Sequence, residues 1–581
     1  MSIAIEHAQA EQQYAIYADA PLFVQACPGA GKTHVIVSRH LQRPAGALRS
    51  GRALVSFTRT ARDQMKARCI TEGHPELAQF PHYIGTLDGF IWHFLVSPFL
   101  KLPQPPQLLE SWAQLARAEV KLGTRAVALS AFTFTLDPDT LREDVVKPGK
   151  NSSAGRTVSD SPYSWTRWKQ AVHQYRDQWR ERGYFTGHEA RLYAMRYLRA
   201  DPHSVTVPLR SRFTEVIVDE AQDCSITDLA ILEVLRTHGV PLVLVADPDQ
   251  AIYGWNQADP TRLLNMRNML GSRATLTGNR RSAPPICALA TTLRTGNRPP
   301  DTSVVRTTGP AVHLIPTAFG NAGKAVHSRT GQDLVELAVE LADRHHESEI
   351  TSPSMLVLAR KHTQLPPAHR RAEPDSNTIT RLARAYQCLQ SGTTQAAELD
   401  QACQQAEQIL LGYWYPEQTG SVTRICRTVG LSPAALRRHA YAFLKGLPTP
   451  SSTWAGEVNA RIKAWWRPSG AAPAGGKGLL RSKIASIGQR APRHPTARLT
   501  TVHQAKGDEA DAVCVLLPDD DLITRWRTGN VATAAEQEEL RVLYVAVTRA
   551  RTLLILAVRE ESIAALQDFL DRHQVPTHMC R

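Results

Sequence analysis

The chain is predicted to be an α/β protein with two parallel-sheet lobes forming a cleft, each lobe interrupted by a mainly helical insertion. Three observations predict it. Short apolar runs bounded by turn residues alternate with helical patterns, the signature of parallel strands covered by helices. These runs fall into two sets, on either side of residue 280. Each set is split by a long helical, loop-rich block, and 581 residues at about 100–200 per domain imply several domains.

The first set is Leu22–Ala26, Ala53–Phe57, Glu215–Val218 and Leu242–Ala246. The second is Ala311–Pro316, Met355–Ala359, Ala512–Leu517 and Leu553–Ala557. The first lobe is therefore expected over 1–95 and 206–279, with an insertion at 96–205. Within that insertion the polar stretch Lys147–Ser161 reads as a flexible loop. The second lobe is expected over 280–362 and 494–581, with an insertion at 363–493. Its Pro- and Gly-rich piece, Pro468–Lys477, reads as a linker. The sequence contains no internal repeat.

Hydrophobic residues make up 43% and charged residues 21%, an ordinary globular balance. The net charge of +14 favours a polyanionic partner, nucleic acid being the commonest. A generally Arg-rich chain gives the same charge, so this alone leaves the partner open. The nine cysteines form no CxxC pair, which argues against a zinc or iron–sulfur site and fits a reducing cytosol. The start of the chain has no basic segment followed by an apolar run, and no apolar stretch reaches the ~18 residues a membrane span needs. A cytoplasmic protein without membrane attachment is expected.

The strongest local signal is ACPGAGKT at residues 26–33, between an apolar strand and a helical pattern. A phosphate chain needs inward backbone N–H groups, and Gly29, Ala30 and Gly31 let the loop approach closely. Lys32 would reach the β- and γ-phosphates, and Thr33 would ligate Mg²⁺. The second signal is VIVDEAQD at 216–223, a buried strand ending in acids. Asp219 would hold Mg²⁺, and Glu220 would orient and deprotonate the attacking water.

DEAQD resembles motif II of superfamily 1 helicases of the UvrD/Rep/PcrA group, and seven other motifs follow in family order. Gln12 matches the residue that reads adenine. SFTRTA at 56–61 and GTLDGF at 85–90 resemble DNA-contacting motifs, with Phe57 and Thr86 on DNA. ADPDQAIYGW at 246–255 resembles motif III, in which Gln250 couples the γ-phosphate to DNA and Tyr253 and Trp255 stack on bases. Phe90 and Trp92 are further aromatics nearby. NRRS at 279–282 resembles motif IV, with Arg281 on the phosphates. TVHQAKGDE at 501–509 resembles motif V, with Glu509 near the ribose. His503 either contacts DNA or the other site, or makes a plain structural hydrogen bond. LYVAVTRA at 543–550 resembles motif VI, with Arg549 as the arginine finger.

The resemblance implies two RecA-like lobes, ATP and Mg²⁺ as cofactors, and single-stranded DNA and its junctions with duplex as partners. It implies a 3′-to-5′ translocase and helicase. A motor of opposite polarity, a motor serving a partner nuclease in repair or phage defence, a non-enzymatic scaffold and a DNA-binding regulator are the alternatives. No nuclease segment follows motif VI, so cutting would come from a partner. Five positions depart from the family pattern: Asn256 and Gln257 replace Arg-Gly, Arg280 replaces an aromatic, Asp508 an apolar residue and Asp88 a His. Arg280 is expected to lie on the adenine, since a guanidinium stacks on a π-face.

Ser421–His439 has helix-turn-helix spacing, with Gly430 in the turn and Arg437 and Arg438 on the second helix. Short helical hairpins give the same pattern, and the block could dock a protein instead.

Overall fold

The computed structural model describes residues 2–43, 49–115, 118–150, 152–252, 259–294, 299–305, 311–320, 324–346, 352–365, 378–390, 396–415, 418, 422–451, 453–465 and 497–580. Runs of Val, Leu and Ile build the first sheet. Its strands are β1 (Leu22–Ala26), β2 (Gly51–Ser56), β3 (Tyr83–Thr86), β4 (Phe213–Val218), β5 (Leu242–Ala246) and β6 (Ser272–Leu276). They lie in the order β6-β1-β5-β4-β2-β3, every pair parallel. Strands β1, β2 and β5 are buried along their whole length, as strands covered on both faces must be.

The second sheet has seven strands. These are β7 (Val312–Phe319), β8 (Ala325–His327), β9 (Met355–Ala359), β10 (Ala497–Thr501), β11 (Ala510–Leu517), β12 (Ala550–Val558) and β13 (His578–Met579). Their order is β8-β7-β12-β11-β9-β10, with β13 on β7. Among the described residues, only the β7–β8 pair of this sheet is antiparallel. All eight apolar runs picked out in the sequence lie on strands of the two sheets. Strands β3, β6, β8, β10 and β13 complete them.

The chain divides into two compact units. One comprises Met1–Pro98, Tyr193–Arg371 and Ala491–Arg581 and holds both sheets. The other comprises Phe99–Leu192 and Ala372–Arg490, so most of both insertions form a single body. Within that body Arg424 of the second insertion donates to the Tyr184 hydroxyl of the first at 3.2 Å. The first insertion adds three short β-pairs to its helices. Trp112, Trp168 and Trp179 anchor its core.

The polar stretch Lys147–Ser161, expected to be a loop, contains a helix over Ser153–Ser159. Ser152 caps it, its hydroxyl accepting from the Gly155 amide at 2.9 Å, and Val158 is buried in the Trp168 core. A cap and one apolar anchor suffice where tertiary packing supports the turn. The linker expected at Pro468–Lys477 lies outside the described residues. Among the described residues, no helix is long and apolar enough to cross a membrane.

Candidate active site

Parallel strands deliver their following loops to one edge of the sheet, and this gathers the catalytic groups. The loop after β1 carries Gly29 and Gly31, both left-handed at φ 73° and 80°. A Cβ on Gly31 would come within 2.9 Å of the Gln12 amide nitrogen, and one on Gly29 within 2.7 Å of Arg281 Cβ. Backbone conformation favours glycine at both positions, and at Gly29 the space does as well. The loop runs into the helix Lys32–Gln42; the first-turn amides of a helix lack intrahelical partners and can receive a phosphate.

The loop after β4 turns sharply at Glu220, a non-glycine residue at φ 52°. Such a conformation costs about 1–3 kcal/mol and persists where surroundings over-determine it. Here it brings the Glu220 carboxylate against Lys32 Nζ, 3.0 Å away. Burial works against the Lys32 charge, yet Glu220, Asp247 and Asp219 outweigh it and hold the amine above its ordinary value. Burial and the neighbouring Glu220 charge push the Asp219 carboxyl up. Burial would also raise Glu220, but Lys32 and Lys506 outweigh it and hold that carboxyl down. The pair thus holds Glu220 as a carboxylate while Asp219 is shifted towards its protonated form. Hard oxygens from Thr33 and Asp219 next to a phosphate-sized cradle fit Mg²⁺, which keeps few protein ligands when bound with a nucleotide.

The second lobe closes the site. Arg549 is buried and donates to Val545 O at 3.0 Å, Asp508 O at 3.2 Å and Gln250 Oε1 at 3.0 Å. Burial, then the charge of Arg281, lowers its guanidinium to about 10, so it stays charged at neutral pH. Gln250 donates to Asp247 Oδ2 at 2.9 Å, and the Tyr544 hydroxyl donates to the same oxygen at 3.2 Å. Gln222 bonds Glu220 and accepts from the Asp247 amide at 3.0 Å. A continuous polar chain thus runs from Glu220 through Gln222, Asp247 and Gln250 to Arg549.

Arg281 pairs with Glu509 at 2.5 Å and donates to Thr548 O at 3.3 Å. Arg551 pairs with the same carboxylate. Asn279 Oδ1 accepts from the Arg281 and Ser282 amides at 2.8 and 2.9 Å, fixing the turn that carries both arginines. At the other end of the cradle Gln12 donates to Ala30 O at 2.8 Å and accepts from Arg280 Nη2 at 3.2 Å. Arg280 is exposed beside it.

Gln12, the loop, Lys32, Asp219, Glu220, Gln250, Arg280, Arg281, Glu509 and Arg549 thus form one neighbourhood. Phe57 and Thr86 stand apart from it, following β2 and ending β3, and the Thr86 hydroxyl accepts from the Gly89 amide at 3.1 Å. Tyr253, Trp255, Asn256 and Gln257 lie outside the described residues. Phe90 and Trp92 are buried, Phe90 against Tyr83, Phe94 and Phe213, so they are core residues and not base contacts. His503 Nε2 lies 3.2 Å from Ile252 O, joining the two lobes beside Gln250.

Sequence reasoning passed over Lys506, which pairs with Asp223 and donates to Gln250 O at 2.9 Å. It also passed over Gln222, Asp247, Asn279 and Tyr544. Their signal was membership of the quoted motifs, without any role attached.

The family model "UvrD/REP helicase N-terminal domain" matches residues 8–270, and "UvrD-like helicase C-terminal domain" matches residues 483–561. DNA helicase II of Escherichia coli is 26% identical over 48% of this chain and 38% of its own length. RecBCD enzyme subunit RecB of Borreliella burgdorferi is 35% identical over 11% of this chain and 5% of its own length. The putative ATP-dependent DNA helicase YjcD of Bacillus subtilis is 34% identical over 14% of this chain and 11% of its own length. The chain therefore spans well under half the length of each of these relatives. With both family models in chain order over a site whose two lobes meet at Gln250 and Arg549, the chain belongs to the UvrD/Rep-type superfamily 1 helicases.

Proposed function

We propose that the chain hydrolyses ATP to translocate on single-stranded DNA, 3′ to 5′, and to unwind duplex ahead of it. The observation that carries this reading is the polar chain from Glu220 to Arg549, which ties the chemistry of one lobe to the position of the other. Lys32 and the loop amides bind the phosphates. Glu220 takes the proton of the attacking water, and Arg281 and Arg549 neutralise charge on the departing γ-phosphoryl group. Thr33 and Asp219 would hold Mg²⁺, which would supply further charge neutralisation on the phosphates. Loss of that charge releases the lobes, and a strand gripped by both is moved by one step per cycle. Phe57, Thr86, Tyr253 and Trp255 are the proposed base and backbone contacts, since aromatic stacking tolerates any base. A cytoplasmic setting goes with this reading.

A second reading, a motor working beside a partner nuclease, is favoured by the likeness to a RecBCD subunit. Strand displacement on duplexes with a 3′ or a 5′ tail tests the proposal. Unwinding of the 3′-tailed substrate alone is expected. Unwinding of the 5′-tailed one alone would reverse the polarity, and no ATP-dependent displacement of either would defeat the motor reading.

Arg280 gives a separate expectation for nucleotide affinity. It replaces an aromatic and donates to Gln12 Oε1 at 3.2 Å, which supports the reading that its guanidinium covers the adenine, a contact worth about 0.5–2 kcal/mol. Arg280→Ala should raise the ATP KM several-fold, while Arg280→Tyr should preserve it. An unchanged KM in Arg280→Ala would show that the guanidinium turns to solvent or phosphate.

A further inference from the structure

The first insertion leaves one strand edge open. Its hairpin pairs Glu119–Leu122 with Arg125–Ala128 antiparallel, from Glu119 opposite Ala128 to Leu122 opposite Arg125. The two strands form a sheet of their own. The Leu129 amide donates to Ala118 O at 2.7 Å, so the hydrogen-bonding positions continue at every second residue, Val120 and Leu122. Glu119 and Lys121 fall between them, and their N–H and C=O groups point away from the neighbouring strand. Among the described residues no further strand takes these groups up.

A groove of about 350 Å³ runs along this edge. Glu119–Leu122 line one wall, and Ala171, Gln174, Tyr175 and Gln178 of the helix Trp165–Glu181 line the other. No residue of Arg125–Ala128 lines it, which places the groove on the open side of the hairpin. Val120 shares a buried core with Trp168 and Val172 of that helix. Side chains alternate along a strand, so Glu119 and Lys121 project from the opposite face. Lys121 is exposed and Glu119 half-buried, and neither side chain makes a hydrogen bond or ion pair among the described residues.

Two opposite charges, two residues apart on one open edge, make that edge complementary to itself. A two-fold axis through Val120 lays the strand antiparallel to its own copy. Glu119 then falls opposite Lys121 of the second copy, and Lys121 opposite its Glu119. In this register both residues stand at hydrogen-bonding positions, so the outward N–H and C=O groups of each strand are all satisfied. Directly opposed charges of unlike sign stabilise such a pair. We propose that this edge pairs with the same edge of a second copy, joining the two hairpins into one continuous antiparallel sheet. The contact is isologous, each copy using the same patch, so assembly closes at the dimer. An unpaired edge is otherwise a template for uncontrolled pairing. The inference goes beyond the motor reading and does not rest on it.

Sedimentation equilibrium of the full chain over a concentration series tests it. A monomer–dimer equilibrium is expected, and a monomer at every concentration would overturn the proposal. Lys121→Glu and Glu119→Lys each set like charges opposite one another at both contacts, and each alone should weaken self-association about tenfold or more. An equimolar mixture of the two variants should restore it, because every reversed charge then meets its opposite. That restoration also shows that both variants fold. Dimerisation unweakened by either reversal would place the contact on another surface. Weakening that mixing does not relieve would exclude this register, and either result overturns the proposal. If the unaltered protein shows no DNA-stimulated ATPase, the motor reading fails, and the mixing experiment still decides this one.

Discussion

Replacing Glu220 with glutamine is expected to lower DNA-stimulated ATP turnover by about 10²–10⁴-fold, the usual contribution of a positioned base, while ATP binding persists. Glutamine keeps the shape of the side chain and can still hydrogen-bond Lys32 and Gln222, so the site stays assembled. What disappears is the carboxylate that Lys32 and Lys506 hold ionised. Lys32→Ala should differ in kind, weakening nucleotide binding as well as turnover, because the ammonium that reaches the phosphates is gone. Equilibrium binding of a labelled nucleotide beside steady-state turnover separates the two. A Glu220→Gln protein that hydrolyses ATP at the unaltered rate would remove Glu220 from the mechanism.

Arg549→Ala is expected to lower turnover by about 10³-fold or more, the scale of a missing arginine finger. Its guanidinium is buried and forked between Val545, Asp508 and Gln250. Arg549→Lys should not restore activity, since a point charge cannot reproduce a planar fork. The alanine variant also leaves buried acceptors unpaired, at about 1–3 kcal/mol each, so a lower Tm should accompany the loss. Retention of single-strand affinity, read by anisotropy, would separate lost chemistry from lost folding. Turnover within a fewfold of the unaltered protein would show that the second lobe does not complete the site.

The strands and loops of this site were legible because the chemistry is written contiguously. Leu22–Ala26 is apolar but for Gln25, and Val216–Val218 is an unbroken apolar run; they end in phosphate-binding and acidic loops. The edge strands were harder to see. Tyr83–Thr86 is short and holds a glycine, and Ser272–Leu276 alternates buried and exposed residues like a half-covered edge. In the first insertion the pair Glu119–Leu122 and Arg125–Ala128 turns at Gly123, φ 56°. A Gly-X dipeptide between short strands is a hairpin signal that the helical reading passed over. Pairings such as Lys506 with Asp223 and Tyr544 with Asp247, 283 and 297 residues apart, exist only once the lobes meet. Arg437 shows the opposite limit: its position on the helix was readable, but its engagement by Glu407 and Asp400 was not.

In the proposed motor, ATP hydrolysis and the grip on a single strand are coupled through the contact between lobes at Gln250 and Arg549. The steady-state ATPase of the full chain, titrated with a single-stranded homopolymer and with Mg²⁺ present, tests it most directly. A slow basal rate that rises severalfold and saturates with DNA is predicted. A rate indifferent to DNA at every concentration would contradict the account.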